Sequence, residues 1–391
     1  AMAASSGARV AVVGGGISGS LCALALRSRG LNPVLFDNRK QKLGGRASEG
    51  GAQFLPVSDP SSHLAQVLST LEQHRLIAQW EGRFGILGSA GGGFLSKEVL
   101  AAATGLKRDG QTPFGASDGG DFCGFITGLP KNSRIYVGMP NMNDLCDSIC
   151  KMADIEVRTR SRVQNARFDR GLAQWFLVTG RDGSEDSSGG FDAMVLATHS
   201  PSFAAGFVQA QVADYQQWQD HDVGVLQRLE RLCKSLKEVN ECGQPLVNLS
   251  IVFPHGAISS RVQFDAVTCP TSNYIQFIAR EGSKPGGATN EDVEMWTAVS
   301  TSSFARELLQ LASGEERKVE DMMADRFAEL LAPYVAKDAF PKYLCALADR
   351  WPLAMYSKSL GLQEDCVSLE PWRLAVCGDW ITDHTAPMEA S

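Results

Sequence analysis

The stretch RVAVVGGGISGS, residues 9–20, decides the class of fold of this 391-residue chain. Its first five residues form an apolar, β-branched run, and an amphipathic helical pattern follows over Ser18–Arg29. A second buried strand is predicted over Pro33–Phe36, and Asp37 closes it. Strand, helix and strand within about 30 residues predict the parallel crossover unit of an α/β fold.

The three glycines between the first strand and its helix have a spacing that suits a phosphate group. Gly14 permits a tight turn, Gly16 lets the backbone approach a pyrophosphate, and Gly19 lets helix and strand pack closely. The helix N-terminus attracts the same anion. Asp37, at the end of the second strand, is placed to accept hydrogen bonds from an adenosine ribose. The pattern predicts a dinucleotide site; the alternative is a purely structural turn.

Two further segments indicate which dinucleotide is bound. Gly44-Gly45-Arg46 offers backbone donors and a guanidinium to a pyrophosphate, which a fold for NAD alone does not need. Near the end of the chain, an apolar strand over Leu374–Cys377 is followed by Gly378-Asp379, where an acid is placed to bond a ribityl hydroxyl. A helix starting near Ala386 would direct its dipole at a flavin ring. Taken singly, each segment is equally compatible with an ordinary exposed turn.

Composition excludes several classes of protein. A formal net charge of -7 argues against a general nucleic-acid surface, which needs a basic excess. No apolar run reaches the roughly 18 residues that span a bilayer. The 10 cysteines are scattered without a C-x-x-C pair, so we expect reduced thiols, no metal centre, and a soluble protein of a reducing compartment such as the cytoplasm or an organelle stroma.

Along the chain, nucleotide-binding sequence alternates with other sequence. We expect a discontinuous Rossmann-type domain with a parallel sheet, formed by residues 1–60, 131–201 and 365–391. Residues 61–130 and 202–364 are expected to form an α+β substrate-binding domain with a mixed or antiparallel sheet. In those insertions the patterns predict helices over Leu64–Leu76, Gln216–Glu238 and Glu316–Leu331, and strands near Leu246–Val252 and Tyr274–Ala279.

In this order and at these separations, the three motifs resemble the flavin amine oxidase superfamily. Within it, the chain is most similar to the renalase-like family of FAD/NAD(P)-binding oxidoreductases. The segments that carry this similarity are Gly51–Phe54, Tyr136–Met142, Phe191–Ala197, Arg350-Trp351 and Cys377–Trp380.

The resemblance implies a two-domain oxidase with non-covalently bound FAD. It places Gln53 and Phe54 beside the isoalloxazine, the backbone of Val163 at the adenine, and Met388-Glu389 at the pyrimidine end of the flavin. The residues that it assigns to FAD are Gly14, Gly16, Ile17, Ser18, Gly19, Asp37, Asn38, Gly44, Gly45, Arg46, Gln53, Phe54, Val163, Gly378, Asp379, Met388 and Glu389.

The implied reaction is hydride transfer from a reduced nicotinamide nucleotide or a similar small substrate to the flavin, with dioxygen as electron acceptor. No residue pattern marks a catalytic acid, base or nucleophile. Aromatic candidates for the walls of the substrate pocket are Trp296, Trp351, Tyr274 and Phe277, each of which is alternatively an ordinary core residue.

One departure from the family stands near the first of these aromatic residues. Family members often carry Trp-x-x-His, and Val299 stands here where that histidine would be. Two other functions therefore stay open. One is oxidation of an amine or desaturation of an isoprenoid or tetrapyrrole, and the other is a non-catalytic flavin-binding regulatory protein.

Overall fold

A computed structural model gives the structure of the chain. It describes residues 7–39, 42–44, 51–57, 60–88, 93–97, 99, 125, 134–179, 189–218, 222–287, 291–311, 316–335, 340–362, 364 and 366–381. Among these residues, no helix combines the length and apolarity needed to cross a bilayer.

The helices and strands are numbered here in chain order. The helices are α1 (Ile17–Ser28), α2 (His63–Gln73), α3 (Leu145–Met152), α4 (Pro201–Tyr215), α5 (Val223–Glu241), α6 (Ser302–Leu309) and α7 (Glu316–Val335). The strands are β1 (Arg9–Val13), β2 (Asn32–Phe36), β3 (Leu55–Val57), β4 (Ile77–Gln79), β5 (Phe84–Leu87), β6 (Phe94–Ser96), β7 (Arg134–Gly138), β8 (Glu156–Arg158), β9 (Val163–Asp169), β10 (Gln174–Thr179), β11 (Ala193–Ala197), β12 (Gly243–Pro254), β13 (Ala266–Thr268), β14 (Ile275–Arg280), β15 (Val293–Ser300), β16 (Cys345–Tyr356), β17 (Cys366–Leu369) and β18 (Leu374–Cys377).

A six-stranded sheet in the order β17-β18-β11-β1-β2-β8 forms the Rossmann-type part of the molecule. All neighbouring pairs are parallel except β17 and β18, which are antiparallel. The crossover predicted from residues 9–37 is therefore confirmed, with α1 joining β1 to β2. The sheet collects strands from the beginning, middle and end of the chain, as expected for a discontinuous α/β fold.

The second large sheet is mixed and has seven strands, in the order β16-β12-β15-β14-β13-β5-β6. Its pairs are antiparallel apart from β13 and β5. The predicted combination of a parallel Rossmann sheet with a mixed sheet is thus confirmed. A small antiparallel sheet, β3-β7-β4, and the hairpin β9-β10 complete the strands.

Each face of the seven-stranded sheet packs against a different set of side chains. Helices α6 and α7 cover one face, where Trp296, Phe253 and Phe327 share a core. The opposite face contributes Phe277 and Val299 to a second core, which continues through the small sheet to α1 and α3. The second face therefore meets the Rossmann-type part of the molecule.

Helices α4 and α5 pack on the six-stranded sheet rather than on the seven-stranded one. Ala204 and Leu236 lie in the same buried cluster as Val13 and Met194 of the parallel strands. The sequence-based assignment places residues 202–364 in the substrate-binding domain, and the packing of these two helices differs from it. Helical periodicity identifies an apolar face, but it does not reveal which sheet that face contacts.

Candidate functional site

The glycine turn between β1 and α1 is closed so tightly that side chains are excluded. Gly14 has a φ of 118°, and a Cβ built on it would lie 2.0 Å from the carbonyl oxygen of Ala197 in β11. A Cβ at Gly19 would lie 1.9 Å from the carbonyl oxygen of Gly14. The helix N-terminus, opened by Ile17 and Ser18, is therefore held directly against the carboxyl ends of two parallel strands. This is the arrangement that presents backbone N–H groups to a phosphate.

Asp37 connects the end of β2 to this turn. Its buried carboxylate accepts a hydrogen bond from the backbone N–H of Gly15 at 2.8 Å and another from that of Arg39 at 2.7 Å. A carboxylate has roughly four acceptor positions, so two bonds do not exhaust its capacity for a ribose. Asn38, the next residue, is exposed. The structure thus adds a role for Asp37, which is to brace the glycine turn itself.

The second glycine segment meets the first. The N–H of Gly44 donates to the carbonyl oxygen of Gly15 at 2.8 Å, and Gly44 and Gly16 form a parallel bridge. Nearby, the N–H of Ser161 donates to the carbonyl oxygen of Asp37 at 2.8 Å, which places the start of β9, and with it Val163, beside the same turn. Gly45 and Arg46 lie outside the described residues.

The terminal motif reaches the same edge of the sheet. β18 pairs with β11 in parallel, so Gly378 emerges next to the end of β11. A Cβ at Gly378 would lie 2.7 Å from the carbonyl oxygen of Thr198, and the indole Nε1 of Trp380 donates to that oxygen at 3.0 Å. Because neighbouring strands are about 4.8 Å apart, Asp379 and the glycine turn lie about two strand spacings apart on one edge. Met388 and Glu389 lie outside the described residues.

Gln53 and Phe54 lie where the Rossmann-type part meets the seven-stranded sheet. Both are buried, and Phe54 stands 4.9 Å from Phe125 and 5.7 Å from Phe277 between ring centroids. Trp351 packs against the same core, and its Nε1 has no hydrogen-bond partner among the described residues. Phe277 and Trp351 therefore line the same side of the seven-stranded sheet.

Trp296 and Tyr274 lie away from that side. Trp296 packs against Phe327 of α7 at a centroid distance of 6.5 Å, and Tyr274, which is 37% exposed, packs against Phe304 of α6. The structure therefore separates the four aromatic candidates into two pairs on opposite faces of one sheet.

The face of the seven-stranded sheet that carries Phe277 and meets the Rossmann-type part is its inner face, and the face covered by α6 and α7 is its outer face. Val299 lies on the inner face, paired with Asn248 of β12 and Phe277 of β14. Side chains alternate along a strand, so residues 296 and 299 point to opposite faces. A histidine in the Trp-x-x-His pattern would therefore occupy the Phe277 side, where this chain has the buried methyl groups of Val299.

A buried polar network at Gln53 was not predicted from the sequence. The ammonium of Lys284 donates to Gln53 Oε1 at 2.8 Å and to Glu281 Oε1 at 2.8 Å, and Thr297 Oγ1 donates to the same Glu281 oxygen at 2.7 Å. The only sequence signal is a pair of opposite charges three residues apart after an apolar strand. Such pairs are common in exposed turns, so the pattern alone does not indicate burial.

Arg280, the last residue of β14, belongs to a second charged cluster with Asp265 and Arg83. Burial alone would raise the pKa of the Asp265 carboxyl, but hydrogen bonds from the guanidinium groups of Arg83 and Arg280 outweigh it and lower the pKa to about 2.

On the other side of the site, burial raises the pKa of the Cys377 thiol. Cys377 is therefore protonated and a weak nucleophile at neutral pH.

Comparisons with known proteins agree with this geometry. The family model of the NAD(P)-binding Rossmann-like domain matches residues 12–75, a range that contains the glycine turn, Asp37 and Gly44. No curated protein sequence matches the chain.

Several solved structures with a similar fold are named as oxidoreductases or oxidases. An oxidoreductase from Methanosarcina mazei aligns with a TM-score of 0.60 at 14% identity, covering 98% of each chain. Putrescine oxidase bound to putrescine aligns at 0.56 and 11% identity, covering 98% of this chain and 96% of its own. Cyclohexylamine oxidase from Brevibacterium oxydans aligns at 0.56 and 12% identity, covering 98% and 97%. The structural alignments show that the fold is shared over nearly the whole chain, and at identities this low they show the fold alone.

Proposed function

We propose that this chain is an FAD-dependent oxidoreductase of the renalase-like type, which oxidises a reduced nicotinamide nucleotide or a similar small, flat substrate. The observation that carries the proposal is the meeting of three distant segments at one edge of the parallel sheet. Gly14, Gly44 and Gly378 each bring bare backbone to that edge. Backbone donors at this edge, with the Asp37 carboxylate at the glycine turn and Asp379 following the end of β18, suit a dinucleotide with a ribityl chain.

The glycine turn fits the pyrophosphate of this cofactor. The close packing of Gly14 on Ala197 and of Gly19 on Gly14 holds the N-terminus of α1 at the turn, where an anion would meet its N–H groups and the positive end of its dipole. FAD, when bound, supplies the acceptor for the hydride, which is why the site needs no acid–base pair of its own. The remaining task of the protein is to orient the substrate and to keep water away from the reacting face.

The inner face of the seven-stranded sheet provides the means for that task. Phe277, Phe54 and Trp351 are apolar, closely packed and directed toward the Rossmann-type part. Flat aromatic walls favour a flat heteroaromatic ring through stacking, which contributes about 0.5–1.5 kcal/mol per ring pair. Val299 completes the wall with apolar surface where a histidine would have added a titratable group.

Absorption spectroscopy and anaerobic reduction test this proposal. The purified chain should show the bands of oxidised flavin and release the flavin on acid treatment. Isomeric preparations of reduced nicotinamide nucleotides, mixed in without oxygen, should bleach those bands. Flavin that none of these nucleotides reduces would contradict the proposed substrate class. Bleaching by putrescine or cyclohexylamine alone would instead indicate amine oxidation, the activity named for two structures of similar fold.

Two matched variants test which face of the sheet meets the substrate. Phe277→Leu removes an inner-face ring, and a stacking loss of this size should raise KM about threefold to tenfold. Tyr274→Leu removes a ring from the outer face and should leave KM within about twofold. Equal effects of the two substitutions, in variants with unchanged urea midpoints, would refute the assignment of the inner face.

A further inference from the structure

Two cysteines stand directly opposite each other in the six-stranded sheet. Cys366 is the first residue of β17 and Cys377 is the last residue of β18, and the antiparallel register pairs them. Their side chains therefore lie on the same face of the sheet. Because Cys377 precedes Gly378, the pair lies at the edge of the sheet where the glycine segments meet. The described cysteines, these two included, are all reduced.

The pairing brings the two backbones to the separation that a disulfide requires. Directly opposed residues of antiparallel strands have Cα atoms about 4.5–5.5 Å apart, within the range of about 4.4–6.8 Å seen in disulfides. Their Cβ atoms stand about 4.5–5.5 Å apart, and a disulfide brings them to about 3.8 Å, so the strands must close by roughly 1 Å. Among the described strands, β17 has only β18 as a hydrogen-bonded neighbour. It can therefore move toward β18 without breaking a second ladder.

A third thiol lies near the pair. Cys22 of α1 packs against the same core as Cys377. Burial contributes most to the raised pKa of the Cys377 thiol, and the sulfurs of Cys22 and Cys366 raise this pKa further. Such an effect requires that the sulfurs be close to one another, which agrees with the register of the two strands. Cys22 is thus the one alternative partner of Cys377 among the described cysteines that these contacts indicate.

The two paired thiols differ in exposure, which assigns them different steps of an oxidation. Cys366 is exposed and Cys377 is partly buried. Hydrogen peroxide from solvent therefore reaches Cys366 first, whose sulfur takes one oxygen to become a sulfenic acid while the other oxygen leaves as water. The Cys377 sulfur then bonds to the Cys366 sulfur, and the hydroxyl group leaves with the Cys377 proton as a second water. Two thiols lose two electrons and two protons, and one peroxide becomes two waters.

We propose that Cys366 and Cys377 form a peroxide-sensitive pair, in which oxidation closes a cross-strand disulfide that ties β17 to β18 beside Gly378. The pair requires no flavin and so goes beyond the proposed function, although an oxidase that passes electrons to dioxygen would itself supply the peroxide. Cys377 is protonated at neutral pH, which slows the second step. The register compensates in part, because it holds the Cys377 sulfur beside its target and makes this step intramolecular.

Peptide mass spectrometry of the full chain tests the inference. The chain is reduced, freed of reductant, treated with an excess of hydrogen peroxide, and its remaining thiols are blocked with N-ethylmaleimide. We expect the linkage of Cys366 to Cys377 to be the most abundant disulfide, and we expect dithiothreitol to restore both thiols.

Two matched serine variants identify the thiols that react. In Cys366→Ser the Cys377 thiol has lost its partner, and we expect its loss under peroxide to be at least tenfold slower than in the wild type. Cys345→Ser removes another exposed thiol, which the register places opposite Val252. This control should leave the yield of the Cys366–Cys377 disulfide within about twofold of the wild-type yield. Both substitutions replace an exposed side chain by one of similar size, so we expect both variants to fold.

Three outcomes would overturn the inference. Oxidation of Cys366 to a sulfinic acid, with the Cys377 thiol intact, would show that the pair does not close. A disulfide between Cys377 and Cys22 would make α1, and not β17, the partner of β18. Equal rates of Cys377 thiol loss in the wild type and in Cys366→Ser would show that Cys366 does not relay the oxidation.

Results for this pair and for the proposed function are independent. A chain that binds no flavin but closes the disulfide with added peroxide refutes the proposed function and supports the pair. A chain that binds flavin and is reduced by nucleotide, but forms no such disulfide, refutes the pair and leaves the proposed function standing.

Discussion

Substitution of Gly19 by alanine tests the geometry on which the candidate site depends. The added Cβ would lie 1.9 Å from the carbonyl oxygen of Gly14, where ordinary van der Waals contact begins at 3.4 Å. To relieve a contact with backbone, α1 must move about 1.5 Å away from the glycine turn. The added Cβ is attached to the backbone of α1 and the Gly14 oxygen belongs to the backbone of the turn, so the clash is relieved only by a shift of the backbone.

The expected magnitude follows from two opposing terms. Overpacking of this kind costs about 1–3 kcal/mol, and replacing glycine by alanine within a helix returns about 0.5–1 kcal/mol. We expect a net loss of about 1–2 kcal/mol in the free energy of unfolding. Because the displaced helix would no longer present its N–H groups to a phosphate at the turn, we also expect the affinity for FAD, the proposed cofactor, to fall at least tenfold.

Gly206 provides a matched control within α4. It is exposed and helical, and a Cβ built on it meets no atom within 4 Å. Gly206→Ala should therefore raise the free energy of unfolding by about 0.5–1 kcal/mol and leave FAD affinity unchanged. Urea unfolding and FAD titration of both variants measure the contrast. If Gly19→Ala proved as stable as Gly206→Ala and bound FAD equally well, the reasoning from close backbone approach would be refuted.

Three further predictions follow from individual contacts. Asp265→Asn should cost up to about 2 kcal/mol at neutral pH, since the pKa of Asp265 falls from its ordinary 3.8 to about 2 on folding. That stabilisation is complete above about pH 5 and is lost as the pH falls toward 2. The difference in free energy of unfolding between the variant and the wild type, measured with urea, should therefore shrink over this range. A difference independent of pH would contradict the prediction. Trp175→Phe leaves a buried carbonyl without its 2.6 Å indole donor and should lower the free energy of unfolding by about 1–3 kcal/mol, measured in the same assay. Because burial raises the pKa of Cys22 to about 11, an alkylating reagent at pH 8 should label exposed Cys345 well before Cys22, as read by peptide mass spectrometry; the reverse order would count against the described burial.

Much of the parallel sheet was predictable because its signals are local. β1 and β18 begin and end where the apolar runs predict, and α1 differs from its predicted range by one residue at each end. Other elements lacked such a signal. The strand β16 has exposed and half-buried residues along most of its length, since it is an edge strand with one hydrogen-bonded neighbour, and its pattern did not indicate a strand.

The residues of the candidate site also fall into two groups, those with a local sequence signal and those without one. The positions of Gly14, Gly19 and Asp37 follow from the sequence, because a phosphate-binding turn imposes residue types at fixed spacing on one short segment. The aromatic candidates share no such spacing. A single residue of register decides whether a side chain faces inward, as Phe277 does, or outward, as Trp296 does, and only strand pairing determines the register.

The sequence by itself determined the class of fold, the location of the glycine turn and the succession of glycine-bearing segments, because each depends on residues that are neighbours along the chain. Tertiary structure alone decided that these segments meet at one edge of a sheet, and that Lys284 reaches Gln53 across 231 positions of sequence. The physical reason is that a hydrogen bond or a packed ring depends on distance in space. The pairing of strands that brings such groups together is a property of the whole chain.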